Sequence, residues 1–438
     1  MSQDMTKGSV SRSLIMFALP LMLSSLFQQL YTWGDALIVG NFVGEGALAA
    51  IGSTGAVSRI LLTVLTGFSV GISILTSQTY GGNERDRVGG ILSLFVTILG
   101  IAGFCIAFTG FFILSPLLRL MKTPADIFTD AVAYLRVILI GLPFMGVYNV
   151  YSAVLRGVAL YAVIVSTLSD TVLNILMVGV MGMGIGGASY STIITQILMT
   201  IFVVIYTSRK HPELRLRFGR TIFDRTLLTK GLRLSVPTAT QSMLRSFGMM
   251  LFQSIVNSFG SSTVAAIATA YRLDSIGLLP LTGLGSGVTN FVAQNTGADK
   301  PERAREGFKT GAKLACAVSV FITAGVYFLG EGLLGLFGIS QEVIDIGQGL
   351  ILRLSAFYSL FGLVHCLVGY MQGVGEVTFT SIVSISSLFA SIVFARLLAP
   401  TVGNMIIAWS EVLTWFLQVF IFGWKYRQIG KRAVIAQQ

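Results

Sequence analysis

A few acids and bases stand inside long apolar stretches of this chain, where a charge is costly. Asp35 is the most prominent, with Tyr31 one helical turn before it on the same face. A carboxylate held at such depth is a functional candidate by default. It can take up a proton on one side of a barrier and release it on the other, or bind sodium when ionised. Asp170 and Asn174 are spaced to share one helix face, and Asn149 and Thr192 lie in the neighbouring stretches. With Asp35 they make an ion-coupling set. Glu411 is a further acid with no assigned partner. Arg59, Arg245, Arg272 and Arg353 fall near the middle of their stretches, and Arg136 and Arg396 nearer one end. Arg59 and Arg245, with Gln28, Tyr31, Gln241, Gln253 and His365, are the polar candidates for contact with a solute. The arginine fork suits carboxylate or phosphate; the structural alternative is pairing with Asp35, Asp170 or Glu411. His365 titrates near neutrality in water, but a lone histidine among apolar neighbours is more often structural. No nucleophile–base pair, His-Glu metal pattern or phosphate loop is present, so neither an enzyme nor a bound cofactor is expected. The only metal expected is sodium at Asp35.

The elements that must carry these residues follow from composition. Hydrophobic residues make up 54% of the 438 residues, charged residues 11%, and the mean hydropathy is +0.80. A soluble domain carries about 25% charge, so most of this chain must face lipid or other helices. A membrane span takes roughly 20 apolar residues. Twelve stretches qualify, at about 13–42, 47–80, 89–115, 130–155, 160–181, 187–208, 232–258, 264–294, 307–329, 343–371, 378–398 and 404–425. The first is too long for a signal-peptide core and lacks a cleavage site, which predicts a retained helix.

The net charge is +11. Its basic residues sit in short loops, which is a topology signal and not a nucleic-acid surface. With the N-terminus inside, Lys7, Arg12, Arg85, Arg87, Arg156, the 209–233 segment, Lys300, Arg303, Arg305, Lys425, Arg427, Lys431 and Arg432 all lie in the cytoplasm. Little more than Arg119 and Lys122 lies outside. Both termini are therefore expected to be cytoplasmic. Cys105, Cys316 and Cys366 fall in apolar runs without metal-ligand spacing and are read as reduced, buried, small hydrophobes.

An internal repeat is visible. Ala49-Ala50-Ile51 meets Ala265-Ala266-Ile267 at an offset of 216, and Gly67, Gly71, Gln78, Gly81, Asn83 and Gly157 meet Gly283, Gly287, Gln294, Gly297, Asp299 and Gly373 at the same offset. Pro20 and Phe42 meet Pro237 and Phe259 at 217. This predicts an all-α membrane protein of twelve transmembrane helices in two six-helix lobes. A pseudo-two-fold axis along the membrane normal would relate them, with a cavity between the lobes near the midplane. The expected boundaries are 1–208 for the N-terminal lobe, 209–230 for a basic cytoplasmic linker and 231–438 for the C-terminal lobe. The paired Gly-xxx-Gly spacings suit close helix packing.

Phe27-Gln-Gln-Leu-Tyr-Thr-Trp-Gly-Asp35-Ala-Leu-Ile-Val-Gly-Asn-Phe-Val-Gly, followed by Ala47-Leu-Ala-Ala, resembles the first helix of the multidrug and toxic compound extrusion (MATE) family. Gln253-Ser-Ile-Val-Asn-Ser-Phe-Gly, Ala265-Ala-Ile, Tyr271-Arg-Leu-Asp-Ser and Gln294-Asn-Thr-Gly-Ala resemble its bacterial DinF-like branch. The resemblance covers nearly the whole chain. It implies a V-shaped two-lobe fold and export of amphiphilic, often cationic, solutes driven by a proton or sodium gradient. It also places Asn149, Asn174 and Thr192 beside Asp35. Two departures stand out. The family's polar turn after Leu155-Arg-Gly is replaced by Val158-Ala-Leu-Tyr. The family's fifth helix carries Asn followed four residues later by Asp, whereas here Val178 follows Asn174 and Asp170 precedes it. Asp170 is then the substitute for the displaced acid. Helix seven and helix ten lack the acids that some relatives carry, so no sodium site is expected in the C-terminal half.

The expected function is an ion-coupled antiporter, with the proton favoured over sodium, exporting amphiphilic organic solutes or drugs by alternating access. The alternative is a flippase or exporter for an anionic or lipid-linked substrate. The expected setting is a bacterial cytoplasmic (inner) membrane. The expected partners are a small organic solute and membrane lipid, with no nucleic acid, and the expected state is a monomer.

Overall fold

The computed structural model describes residues 4–43, 45–120, 125–217, 219, 223–337 and 339–435. These residues are almost entirely helical. The helices are α1 (Val10–Phe42), α2 (Glu45–Gly81), α3 (Arg85–Leu120), α4 (Ala125–Val154), α5 (Arg156–Asn174), α6 (Gly184–Lys210), α7 (Arg225–Asn257), α8 (Ser261–Gly277), α9 (Leu279–Gly297), α10 (Pro301–Gly335), α11 (Gln341–Ser355), α12 (Tyr358–Gly373), α13 (Val377–Val402) and α14 (Ile406–Ile435). Eight helical stretches are long and apolar enough to cross a bilayer, or ten when each bent pair counts as one span. The stretch Val377–Ile429 takes in all of α13 and most of α14.

The bent pairs are α8 with α9, at 46°, and α11 with α12, at 51°. Pro280, near the start of α9, has no N–H to continue the α8 hydrogen-bond ladder. Each pair corresponds to one apolar stretch of the sequence. After Asn174, the last residue of α5, the chain passes directly into a π-helical turn, Ile175–Val180. The wider turn is marked by the Met181 amide, which reaches back five residues to Leu176 O at 2.8 Å.

The chain forms two compact units. The first consists mainly of Leu23–Thr76 and Glu84–Ala239, the second of Gln3–Met22, Ser77–Asn83 and Thr240–Gln438. The first helix of each repeat thus begins in one unit and continues in the other: α1 changes unit after Met22 and α7 after Ala239. In the first unit a leucine cluster, including Leu65, Leu114, Leu118, Leu135, Leu139 and Leu142, packs α2, α3 and α4 together. A smaller plug of Val39, Val178, Ile185 and Ala188 joins α1, the π turn and α6. The second unit has a larger core running from Leu14 and Phe17 through Phe291, Tyr358 and Phe422.

The repeat is written into the close contacts. A Cβ on Gly81 would lie 1.9 Å from the Gln294 carbonyl oxygen, and one on Gly297 would lie 1.9 Å from that of Gln78. Gln78 and Gln294 are themselves repeat mates, so the contact is reciprocal. The turns that follow use Asn83 at φ 61° and Asp299 at φ 54°, again mates. Left-handed backbone favours Asn and Asp among non-glycine residues. Nearby, Ser77 Oγ donates to Asn290 Oδ1 at 2.8 Å, and Gln78 Nε2 donates to the Gly373 carbonyl at 3.0 Å.

One expectation needs correction. Cys366 is buried, but Cys105 and Cys316 are exposed on apolar helices. A thiol is apolar enough to stand on a lipid-facing surface.

The start of α7 is capped by Asp224. Its Oδ1 accepts from the Thr226 amide at 2.8 Å and the Leu227 amide at 3.3 Å, and its Oδ2 from Arg87 Nη2 at 3.2 Å. These bonds, the two amides above all, hold the Asp224 carboxyl below the usual carboxylate range. A depressed folded-state pKa contributes stability above the ordinary carboxylate value that is lost as pH falls through the folded value. Asp224→Ala should therefore melt lower in detergent at neutral pH, with the gap from wild type closing on acidification. For the glycine contact, Gly81→Val or Gly297→Val should lower the melting temperature by several degrees, an overpacking cost of about 1–3 kcal/mol. Gly325→Val, where a Cβ meets nothing within 4 Å, should not.

Candidate functional site

Asp35 and Asp170 of the first unit meet at Asn174. Its side-chain amide donates to Asp35 Oδ1 at 2.6 Å and to Asp170 Oδ2 at 3.1 Å. The second bond follows from the i, i+4 spacing on α5; the first joins α5 to α1. The Asp35 and Asp170 carboxyls are also close enough to interact electrostatically. Asp170 is 1% exposed and Asn174 0%, while Asp35 is half-buried. The apolar plug fixes this geometry, because Val39 lies one turn beyond Asp35 and Val178 one turn beyond Asn174.

Three buried polar atoms here lack a well-formed hydrogen bond to any described residue: Asp170 Oδ1, Asn174 Oδ1 and Thr195 Oγ1. The Ser191 and Thr195 hydroxyls of α6 stand beside Asp170, yet do not reach Oδ1 in bonding geometry. An unmet buried polar group costs about 1–3 kcal/mol. Several within one cluster mark a place where a proton, a water or a small cation completes the bonding. The donor set is all hard oxygen, which suits sodium as well as a proton. Among the described residues no group of three or more His, Cys, Asp and Glu side chains is placed to hold a metal ion.

Asn149 bonds within α4 to Met145 O at 2.8 Å and accepts from Ser69 Oγ at 3.3 Å. Thr192 donates to Ala188 O of its own helix at 2.9 Å. Gln28 and Arg59 are exposed, and the Tyr31 side chain lies outside the described residues. Gln241 accepts from Ser381 Oγ at 3.2 Å, and Gln253 donates to Asn257 at 2.9 Å. His365 is wedged between Phe361, 4.1 Å away between ring centroids, and the Gly285 backbone, and its Nδ1 is 3.0 Å from Phe361 O. Sequence reasoning missed Tyr134, which lies within electrostatic reach of both acids, and the pair Ser191 and Thr195. The spacing of those two, one turn apart on the same face, was the available signal.

The second unit has its own polar network. Tyr271 Oη donates to Glu411 Oε1 at 2.6 Å, and the Tyr358 hydroxyl bonds to Asp274 Oδ1. Asp274 lies in the last turn of α8 and Tyr358 opens α12, so the second bond ties the two helix breaks together. Glu411, unassigned in the sequence, is thus partnered.

Comparison with known proteins agrees with this architecture. The MatE family model matches residues 20–180 and again 237–397, one match per repeat. The probable multidrug resistance protein YoeA of Bacillus subtilis is 30% identical over 403 residues, covering 89% of this chain and 86% of that protein. The solved outward-facing structure of a multidrug resistance MATE family transporter of the MOP superfamily superposes with a TM-score of 0.92 at 20% identity, covering 98% of each chain. A MOP superfamily transporter from Pyrococcus furiosus, described as having a binding pocket of reversed polarity, gives 0.89 at 20% identity, covering 98% of this chain and 97% of that one. With a double family match across most of its length, two repeated halves and many apolar helices, the chain belongs to the MatE family of multi-pass membrane transporters.

Proposed function

We propose that this transporter is a secondary antiporter that exports amphiphilic organic solutes in exchange for a cation bound at Asp35, Asn174 and Asp170. The observation that carries this reading is the pair of neighbouring carboxyls joined by one amide, with unmet oxygens around them. Two carboxylates close together repel each other unless a proton or cation lies between them. The proton is favoured over sodium, because one amide already draws both carboxyls together and protonating one of them relieves their repulsion without moving either helix. Coupling then requires that occupancy of the pair change the affinity for cargo. Asp35 sits on α1, the helix that runs from the second unit into the first, so its protonation state can act on that helix directly.

In this reading the chain performs no covalent chemistry and takes no cofactor beyond the coupling ion. Its partners are cargo and membrane lipid, it has no nucleic-acid partner, and it works as a monomer. It resides in a bacterial cytoplasmic membrane with both termini inside, as the basic loops require. A second reading is export or flipping of an anionic or lipid-linked cargo. It is favoured by exposed arginines at span depth and by the described reversed pocket polarity of the Pyrococcus furiosus neighbour.

Separate proton and sodium gradients imposed on proteoliposomes, with a panel of cationic, neutral and anionic dyes, test the coupling. Wild type should respond to the proton gradient. Asp35→Asn should lose about tenfold or more of gradient-driven flux while still binding dye at equilibrium; undiminished flux sinks the assignment. For topology, a cysteine placed at Arg215 in a background lacking Cys105, Cys316 and Cys366 should react with an impermeant thiol reagent in inside-out vesicles only. Labelling of right-side-out vesicles would overturn the orientation.

A further inference from the structure

Among the described helices longer than 30 residues, α7 does not supply one of the stretches apolar enough to cross lipid on composition. The reason lies in its second-unit half, where Gln241, Ser242, Arg245, Ser246 and Gln253 interrupt the apolar sequence. Gln241 and Arg245 are one turn apart and share a face. Arg245 is exposed. It makes no hydrogen bond or ion pair with any described residue, leaving the donors of its guanidinium unused. Its charged neighbours are Glu411 on α14 and His365 on α12. Glu411 takes its hydrogen bond from Tyr271, and the other buried acid of this unit, Asp274, takes one from Tyr358. An arginine turned to hydrocarbon at this depth costs about 2.5–3.5 kcal/mol or more, so the exposed face of α7 must meet water or a ligand.

We infer that Arg245 is the recognition point for an anionic group on the cargo, so that the transporter takes amphiphiles bearing a carboxylate or phosphate. Gln241 is the adjacent polar contact. This rests on the exporter reading above and names its substrate class. Planar, bidentate bonding to carboxylate or phosphate is what an unpaired guanidinium offers and what a cationic drug cannot use. Glu411 lies within electrostatic reach of the arginine but spends its hydrogen bond on Tyr271.

The test is equilibrium binding to the purified protein in nanodiscs, read by fluorescence polarisation with no gradient imposed. Four probes share one dansyl-labelled alkyl chain and end in a carboxylate, a phosphate monoester, a methyl ester or a trimethylammonium group. Wild type should bind one or both anions more tightly than the ester and the ammonium; the carboxylate-to-phosphate ratio tells which anion is preferred. Arg245→Ala should weaken the anions by about tenfold or more and leave the other two unchanged, with Arg245→Lys recovering part of the loss. Equal binding of the carboxylate and its ester by wild type overturns the inference. So does an equal loss of all four probes in Arg245→Ala that Glu411→Gln restores, because the arginine then serves only to neutralise Glu411. If Arg245→Ala does not fold, as judged by gel filtration, Arg245→Lys decides: a selective loss for the anions supports the site, and unchanged anion affinity overturns it. The exporter reading fails separately, if Arg245-dependent anion binding persists in a protein that shows no gradient-driven flux.

Discussion

Hydrocarbon offers a polar group nothing to bind, so every such group in a spanning helix must find its partner in the protein or in water the protein admits. That constraint explains why these residues are helical almost throughout, and it also locates the chemistry. The acids of the interior each have an identified polar partner. Asp35 and Asp170 share Asn174, while Glu411 and Asp274 each hold a tyrosine hydroxyl. Around Asp170 the bonding is incomplete, with Asp170 Oδ1, Asn174 Oδ1 and Thr195 Oγ1 all unmet.

The two polar networks differ in kind. In the first unit two carboxyls share one amide and nearby oxygens are unmet, an arrangement that changes readily on taking up a proton. In the second unit Glu411 and Asp274 are each matched by a phenolic hydroxyl that donates without titrating in the ordinary range. The second network also bridges two broken helices, Asp274 at the end of α8 and Tyr358 at the start of α12. It reads as a brace, whereas the first reads as a switch.

Packing has kept the repeat most faithfully at the backbone. Gly81 and Gly297 each lie against the carbonyl of the other's neighbouring glutamine, and Asn83 and Asp299 turn the chain with the same left-handed conformation. A side chain at either glycine would part the helices, so both positions are constrained at once. The side chains around this frame vary more freely, which is how one half joins its acids through an asparagine and the other matches them with tyrosine hydroxyls.

The sequence alone determined what depends on local composition and spacing. The apolar stretches, the repeat offset and the depth of Asp35 could all be read from it, since partition into lipid and helical periodicity are properties of short segments. The single stretches at 264–294 and 343–371 did not reveal that each is bent into two helices, because the bends come from interrupted backbone bonding and not from a change of polarity. The i, i+4 pairing of Asp170 and Asn174 was legible, but the bond from Asn174 to Asp35 spans 139 residues. Tyr134, Ser191 and Thr195 escaped notice for the same reason: their meaning depends on which helix faces α5. Only tertiary packing decided that α1 and α7 begin in one unit and continue in the other, that Glu411 belongs to Tyr271, and that Arg245 is exposed without a bonded partner. Contacts between distant helices are chosen by the fit of whole surfaces, which no short window of sequence contains.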